Sequence, residues 1–366
     1  MILLEKSEHE AEVKTLIDQV VENTGLDMLI PQQVEKNILQ NILTGNSRED
    51  SAVKGMRQNA VLRMRMTVAA SLILLAGVAY WLVAGKSEKP GTAVVKLPAQ
   101  IVPGTDKAAL TLADGTIMYL DNIQNGNLAN QGDTRVSKQD GSLTYSATKS
   151  LGNNDIAVYN TLATPRGGQY QLILQDGSKA WLNAASSLRF PTAFKGNTRG
   201  VFLNGEAYFE IAKDAKKPFQ VTVGKLKIDV LGTHFNVNAY DDENAIRTSL
   251  LEGSVKIANG NGSNILKPGE QAVLNKTNEK IKIARPDLEE VIAWKNGLFQ
   301  FDGANITSIM RQVGRWYDVE IVYAGDTPVF RFQGKISRKS QLSEVLQILE
   351  LNDIKLKVDQ KKIIIY

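Results

Sequence analysis

Met66 to Gly85 is a run of twenty residues without a formal charge, far from either end of a 366-residue chain. A helix rises about 1.5 Å per residue, so such a run covers about 30 Å, the thickness of a hydrocarbon core. A helix apolar on every face has little use on the surface of a soluble domain. The run therefore predicts one membrane span. It starts too late for a secretory leader, and no second run accompanies it as a polytopic transporter would require. Tyr80 and Trp81 suit an interfacial belt at its far end. Arg57, Arg63 and Arg65 precede it while Lys86 and Lys89 follow, a bias that places residues 1–65 in the cytoplasm and the rest outside.

The piece before the span predicts two helices. Val13, Leu16, Ile17, Val20 and Val21 recur at helical spacing until Asn23-Thr24-Gly25. Pro31 opens a second pattern with Val34, Ile38, Leu39, Ile42 and Leu43, closed by Gly45. Two such helices bury little apolar area alone. Residues 1–50 hold four Lys/Arg against ten Asp/Glu. The pair reads as an acidic clamp that completes its core on a basic partner, or as a hairpin with a solvated acidic face. The net charge of +4 is too small for a nucleic-acid coat, and zero cysteines exclude disulfides and thiolate metal sites.

Beyond the span, Pro90 to Thr105 reads as a linker, and the periodicity then changes to two. Leu110–Asp121 is strand, Asp114-Gly115 turn, strand. The same form returns sixty-two residues later in Leu172–Asn183 around Asp176-Gly177, with five of twelve positions identical. Asp140-Gly141 is a third such turn, and Asp-Gly supplies the positive φ angles of a tight hairpin. Short strands continue through 200–203, 207–211, 219–223, 226–231, 235–239, 246–251, 254–257 and 271–275, which predicts an all-β domain of stacked hairpins. Near the end, Ile306, Ile309, Met310 and Val313 form a helical stripe followed by alternation from Asp318 to Tyr323. Leu342, Val345, Leu346 and Leu349 repeat the stripe thirty-six residues on, followed by Asp353–Val358. With strands at 330–334 and 362–366, this predicts a small α+β domain of duplicated helix-strand units.

Catalytic chemistry is hard to assemble from these residues. The two histidines, His9 and His234, have no companions for a metal site or a nucleophilic triad. Glu206 and Glu210 share a strand face, but four residues at about 3.3 Å each separate them by roughly 13 Å, too far for paired glycosidase carboxylates. They read as charges on a strand edge. Asp241-Asp242-Glu243-Asn244 lacks the spacing of a calcium loop and reads as a polar turn. Asn259–Ser263 precedes no helix, as a phosphate loop would. Tyr170 and Trp181 fit either a sugar platform or a strand core. No enzyme, cofactor or metal is expected.

Several long motifs carry a family resemblance. TPRGGQYQLILQDGSKAWLNAASSLRFPTAF (164–194), GEAYFEIAKDAKKPFQV (205–221), VLGTHFNVNAY (230–240) and LLEGSV (250–255) resemble the periplasmic domain of FecR-type transmembrane anti-sigma factors. IAWKNGLFQF (292–301), RWYDVEIVY (315–323) and FQGKISRKSQLSEVLQILE (332–350) resemble the C-terminal domain that accompanies it. The resemblance implies a chain with cytoplasmic segment 1–65, span 66–85, linker 86–105, β domain 106–290 and C-terminal domain 291–366. It implies an inner-membrane protein with two partners and no direct contact with nucleic acid. One partner is the periplasmic signalling domain of an outer-membrane TonB-dependent transporter, the other a cytoplasmic extracytoplasmic-function sigma factor. Val13, Leu16, Ile17, Val20, Val34, Ile38, Leu39 and Ile42 are then the expected sigma-binding residues, and Trp316 and Tyr317 the signal-receiving ones, with a core role open to Trp316. Some members are thought to cleave themselves at a Gly-Thr bond, which here is Gly232-Thr233; those residues also read as a bulge before a buried strand. Two other readings stay open, a membrane-tethered periplasmic glycan-binding module and a structural component of an envelope assembly.

Overall fold

The computed structural model describes residues 101–148, 158–260, 262–325 and 331–366, all within one compact unit, Val94–Tyr366. The run Met66–Gly85 and the two N-terminal helical patterns lie outside the described residues. Among those residues no helix is long and apolar enough to cross a membrane.

The two-residue periodicity produces a β sandwich. Along Tyr159–Thr164 and Gly168–Ile173 burial alternates residue by residue. Leu162, Leu172, Leu182, Phe209, Phe219 and Phe235 are sealed between two sheets. Phe209 stacks on Phe235 with ring centroids 5.1 Å apart. The sheets are joined by one strand, Arg199–Glu210. Its first half pairs with Ser186–Pro191 and Phe219–Val223, its second half with Lys179–Leu182 and His234–Ala239. Sequence alternation reads this stretch as two strands, 200–203 and 207–211; the structure corrects that to one strand that changes sheets. Gly205 is the pivot. Its φ is +88°, and a Cβ there would lie 2.7 Å from the Ser186 Cα, so only glycine fits.

The three Asp-Gly turns are of two kinds. Asp140 (φ 47°) and Gly141 (φ 77°) both take positive φ and make the expected two-residue hairpin. At Asp114-Gly115 and Asp176-Gly177 only the glycine does. There the glycine N–H donates back three residues, to the carbonyls of Leu112 and Leu174, while Asp114 and Asp176 accept from the amides of Thr116 and Ser178. These are wider turns ending in a left-handed glycine, and the matching bonds explain why the two sequences match.

The C-terminal part holds helices α1 (Leu288–Ile292), α2 (Ile306–Tyr317) and α3 (Leu342–Glu350). Asn305 caps α2 by accepting from the Ser308 amide, and Glu344 accepts from the Gln341 amide at the start of α3. Both expected stripes are buried. The duplication is visible in the backbone, because Asp318 and Asp353 leave their helices in the same left-handed conformation, φ 53° and 63°. The following strands, Glu320–Tyr323 and Leu356–Asp359, flank Lys362–Ile365 in one sheet. A second sheet pairs Arg331–Ser337 with Leu298–Asn305, a strand the alternation does not reveal because its register shifts between Phe301 and Ala304. The apolar residues form two clusters, one inside the sandwich and one under α2 and α3.

Candidate relay site at the seam of the two cores

The tip Pro165-Arg166-Gly167-Gly168 joins two sandwich strands and reaches the end of α2. A helix leaves its last carbonyls without partners, and its negative dipole end favours cations. Arg166 Nη2 donates to the carbonyls of Gly314 (2.6 Å) and Val319 (2.8 Å), and the Gly167 amide donates to Arg315 O (2.8 Å). The sandwich thus caps a helix of the C-terminal part.

The same tip grips the strap Ile101–Lys107, which leads back toward the apolar run. The Thr105 amide donates to Gly167 O (3.0 Å), and Thr105–Asp106 pairs parallel with Gly168–Gln169. Gly104 lies flat on the Trp316 indole, where a Cβ would come within 2.7 Å of the ring. Strap, tip and helix end therefore meet at one point. Both residues expected to receive a signal sit here as core: Trp316 is 4 % and Tyr317 3 % exposed. The Trp316 indole donates to Arg338 O and the Tyr317 hydroxyl to Ser340 O. Both side chains pack inward, the core use that the sequence leaves open for Trp316.

Buried ions hold the rest of the seam. Glu206 is not an edge charge: it is 7 % exposed beneath the C-terminal part and accepts from Asn183 (2.8 Å) and Asn236 (3.0 Å). Burial outweighs these bonds and raises its pKa above the ordinary carboxylate value. Arg338 donates to Asn183 Oδ1 (2.9 Å) and Trp294 O (3.0 Å) and lies 3.7 Å over the Trp316 ring. Burial pushes its pKa down to about 10, against the pull of Tyr240 and Glu206. Asp241–Asn244 is the polar turn expected, yet two of its carboxylates pair. Glu243 takes Arg311 (2.7 Å) and Arg315 (3.2 Å), and Asp242 takes Arg315 (2.9 Å). Desolvation would raise the Glu243 pKa, but Arg311 and Arg315 together lower it. None of these arginines stands out in the sequence, where a buried arginine and a solvated one look alike.

Gly232-Thr233 lies at the far edge of the sandwich. A Cβ on Gly232 would sit 2.8 Å from the Lys213 Cα, and one on Gly253 would sit 2.8 Å from Gly232 O and from Thr233 Oγ1. Thr233 is buried and its hydroxyl donates to Ser254 O (3.1 Å). His234 is half-exposed and pairs with Glu252 through Nδ1 (3.1 Å). The strand register slips between His234 and Phe235, so a bulge does follow the bond. Tyr170 is core, and Trp181 lies under Lys295 and beside Tyr208, so the two do not form an open platform. Among the described residues no three metal-ligating side chains gather. The expected sigma-binding residues, Val13 to Ile42, lie outside the described residues.

Comparison with known proteins matches these two regions. Residues 160–256 fit the family described as FecR protein, and residues 298–365 fit FecR, C-terminal. Two crystal structures of a "putative anti-sigma factor" from Parabacteroides distasonis ATCC 8503 are similar. They share 31% and 30% identity at TM-scores of 0.52 and 0.53, over 56% and 57% of this chain and 98% of each of theirs. No functionally curated protein matches the chain. With both domains matched in order, and with a solved relative covered almost end to end, the chain belongs to the FecR family.

Proposed function

We propose that this chain is a single-pass inner-membrane anti-sigma regulator. Residues 1–65 hold an extracytoplasmic-function sigma factor in the cytoplasm, and the region after Gly85 receives a signal from a TonB-dependent transporter. Family membership and the description of the solved relatives support the anti-sigma role. The observation that carries the relay is the strap: among the described residues, the segment nearest the apolar run is clamped between the Arg166 tip and Trp316. A partner that shifts the C-terminal part also loosens the chain leading to the span. On this reading release begins as a change at the seam rather than at a ligand-binding residue.

Co-purification of the full chain with an extracytoplasmic-function sigma factor from the same organism tests the reading. Leu16→Asp or Ile38→Asp buries an unpaired carboxylate, costs several kcal/mol and abolishes a micromolar complex. Undiminished co-purification with both variants overturns it. Alkaline phosphatase fused after Lys96 is active and after Arg48 inactive; the reverse pattern overturns the topology. We also propose a test of self-cleavage at the Gly232-Thr233 bond, against the alternative that it only marks a bulge before a buried strand. Thr233 Oγ1 attacks the Gly232 carbonyl, the amide nitrogen leaves as a free amine, and water hydrolyses the ester. Mass spectrometry then finds a fragment starting at Thr233 that Thr233→Ala removes; an intact chain after days at neutral pH rejects the step.

A further inference from the structure

The outer face of the second sheet has a polar floor that the relay leaves unused. Strand register sets Glu206, Asn238 and Arg247 opposite one another in one row, and Asn236, Ser249 and Gln271 in the next. Opposed residues on one sheet face stand about 5 Å apart, so each row forms a continuous strip. Helices α1 and α2 and Trp294 roof this floor and enclose a cleft of ≈ 420 Å³. Small-molecule sites run from about 300 to 1,000 Å³.

Most of the floor is already satisfied. Glu206 accepts from Asn183 and Asn236, Asn236 accepts from the Trp294 indole, and Gln271 donates to Ser249. Two adjacent groups are not. Asn238 Oδ1 is buried without a hydrogen-bond partner, although its side chain lies beside Glu206. Arg247, opposite it in the register, makes no side-chain hydrogen bond or ion pair among the described residues. The buried acceptor is costly unless something polar reaches it, and Arg247, partly open to the cleft, offers a donor beside it.

The charge of the cleft defines that occupant. Four arginines line it (247, 311, 315, 331) against three glutamates (206, 243, 290). Arg311 and Arg315 are taken by Glu243 and Asp242. Arg331 donates to the Gly303 carbonyl, so Arg247 alone is left without a partner among the described residues, and no cluster of unpaired cations marks a phosphate or carboxylate site. Amides and hydroxyls dominate what remains, groups that both donate and accept.

We propose that the cleft binds a neutral polyhydroxylated small molecule, a sugar of one or two rings, whose hydroxyls donate to Asn238 Oδ1 and accept from Arg247. Such a ligand touches the sandwich below and the C-terminal part above, so binding stabilises the docked seam by linkage. The proposal stands independently of the sigma reading, since sigma co-purification does not enter its test.

The full-length protein, solubilised in a sugar-free detergent, is titrated with glucose, maltose, cellobiose and N,N′-diacetylchitobiose, with glutamate as a charged control. Calorimetry gives affinity and thermal unfolding gives linkage. At least one neutral sugar binds and raises the Tm, and Asn238→Leu and Arg247→Met each weaken it at least about tenfold. Arg247→Met removes a group without a hydrogen-bond or ion-pair partner, so the ligand-free protein keeps its Tm, whereas Asn238→Leu also removes a contact with Glu206 and lowers it somewhat. The proposal is overturned by no heat from any of the four sugars at about 50 mM, far above useful affinity. It is equally overturned by glutamate binding in their place, by affinity unchanged in both variants, or by a marked loss of ligand-free Tm in Arg247→Met that shows Arg247 to be structural.

Discussion

The core of the sandwich is mainly apolar, while the seam between the sandwich and the C-terminal part is held by arginines on carbonyls and carboxylates. Phe209 packs against Phe219 and stacks on Phe235, and of the three rings Phe219 alone also carries a cation over its face, the buried Arg199. Arg166, Arg315 and Arg338 each cross from one part to the other to reach a hydrogen-bond acceptor. Apolar burial has no direction and tolerates only small shifts before cavities open. Charge-assisted hydrogen bonds are directional and respond to pH and to a competing partner. A molecule built this way keeps its core while its seam opens, which suits a protein that passes a signal through itself.

Breaking the apolar side has the largest effect. Phe209→Ala removes a fully buried ring from a stacked cluster and costs about 3–5 kcal/mol. Urea denaturation shows the loss for the whole compact unit. A loss under about 1 kcal/mol would mean that the sandwich core is loosely packed and the contrast false. Arg338→Met is the matching lesion in the seam. It keeps a side chain of similar length but deletes the guanidinium's contact with the Trp316 ring and its bonds to Trp294 O and Asn183 Oδ1. Bonds from charged groups are worth about 1.5–3 kcal/mol, so a loss of about 2–3 kcal/mol is expected. Hydrogen exchange should rise in 294–338 with little change in the sandwich strands; equal loosening on both sides erases the distinction.

These sides also differed in how far they were legible. Alternation, Asp-Gly turns and two helical stripes announced the sandwich hairpins and the duplicated units, because burial of apolar residues leaves a period in the sequence. The seam leaves none. Arg166 meets Gly314 across 148 residues and Arg338 meets Asn183 across 155. Glu206 has the spacing of any outward-facing strand residue, and only the C-terminal part lying over it makes it buried. The strand Leu298–Asn305 was hidden for a local reason, since its irregularity near Gly303 interrupts the alternation. In the candidate site, Trp316 was identifiable as important, but its partner Gly104 belongs to a stretch that reads as linker.

Gly104→Ala sharpens the comparison at the strap. The new Cβ would fall 2.7 Å from the Trp316 indole, closer than real contacts allow. Overpacking of this kind costs about 1–3 kcal/mol. Trp316→Ala opens the space, so the cost of Gly104→Ala should nearly vanish in that background, and a double-mutant cycle measures the coupling. If relay runs through this contact, Gly104→Ala also shifts sigma-dependent transcription toward the induced level without the transporter's substrate. Additive losses with normal induction would leave the strap a passive tether.

The smallest effect is a change of slope with pH, and its sign separates two glutamates of one seam. Burial raises the Glu206 pKa, so the folded protein keeps a proton that the unfolded chain has released. Its contribution is fully present below the ordinary carboxylate value and declines as pH rises from there toward the raised one. Glu243 runs the other way, because despite its desolvation Arg311 and Arg315 hold its pKa below the ordinary value. Its contribution is present above the ordinary value and is lost as pH falls toward the lowered one. Glu206→Gln should therefore flatten the decline toward neutral pH, while Glu243→Gln should flatten the loss toward acid at the cost of lower stability at neutrality. Urea midpoints of both variants and the parent between about pH 4 and pH 8 decide it. If Glu206→Gln leaves the neutral-side slope untouched, Glu206 is not desolvated in solution, and the C-terminal part does not stay seated over the sandwich.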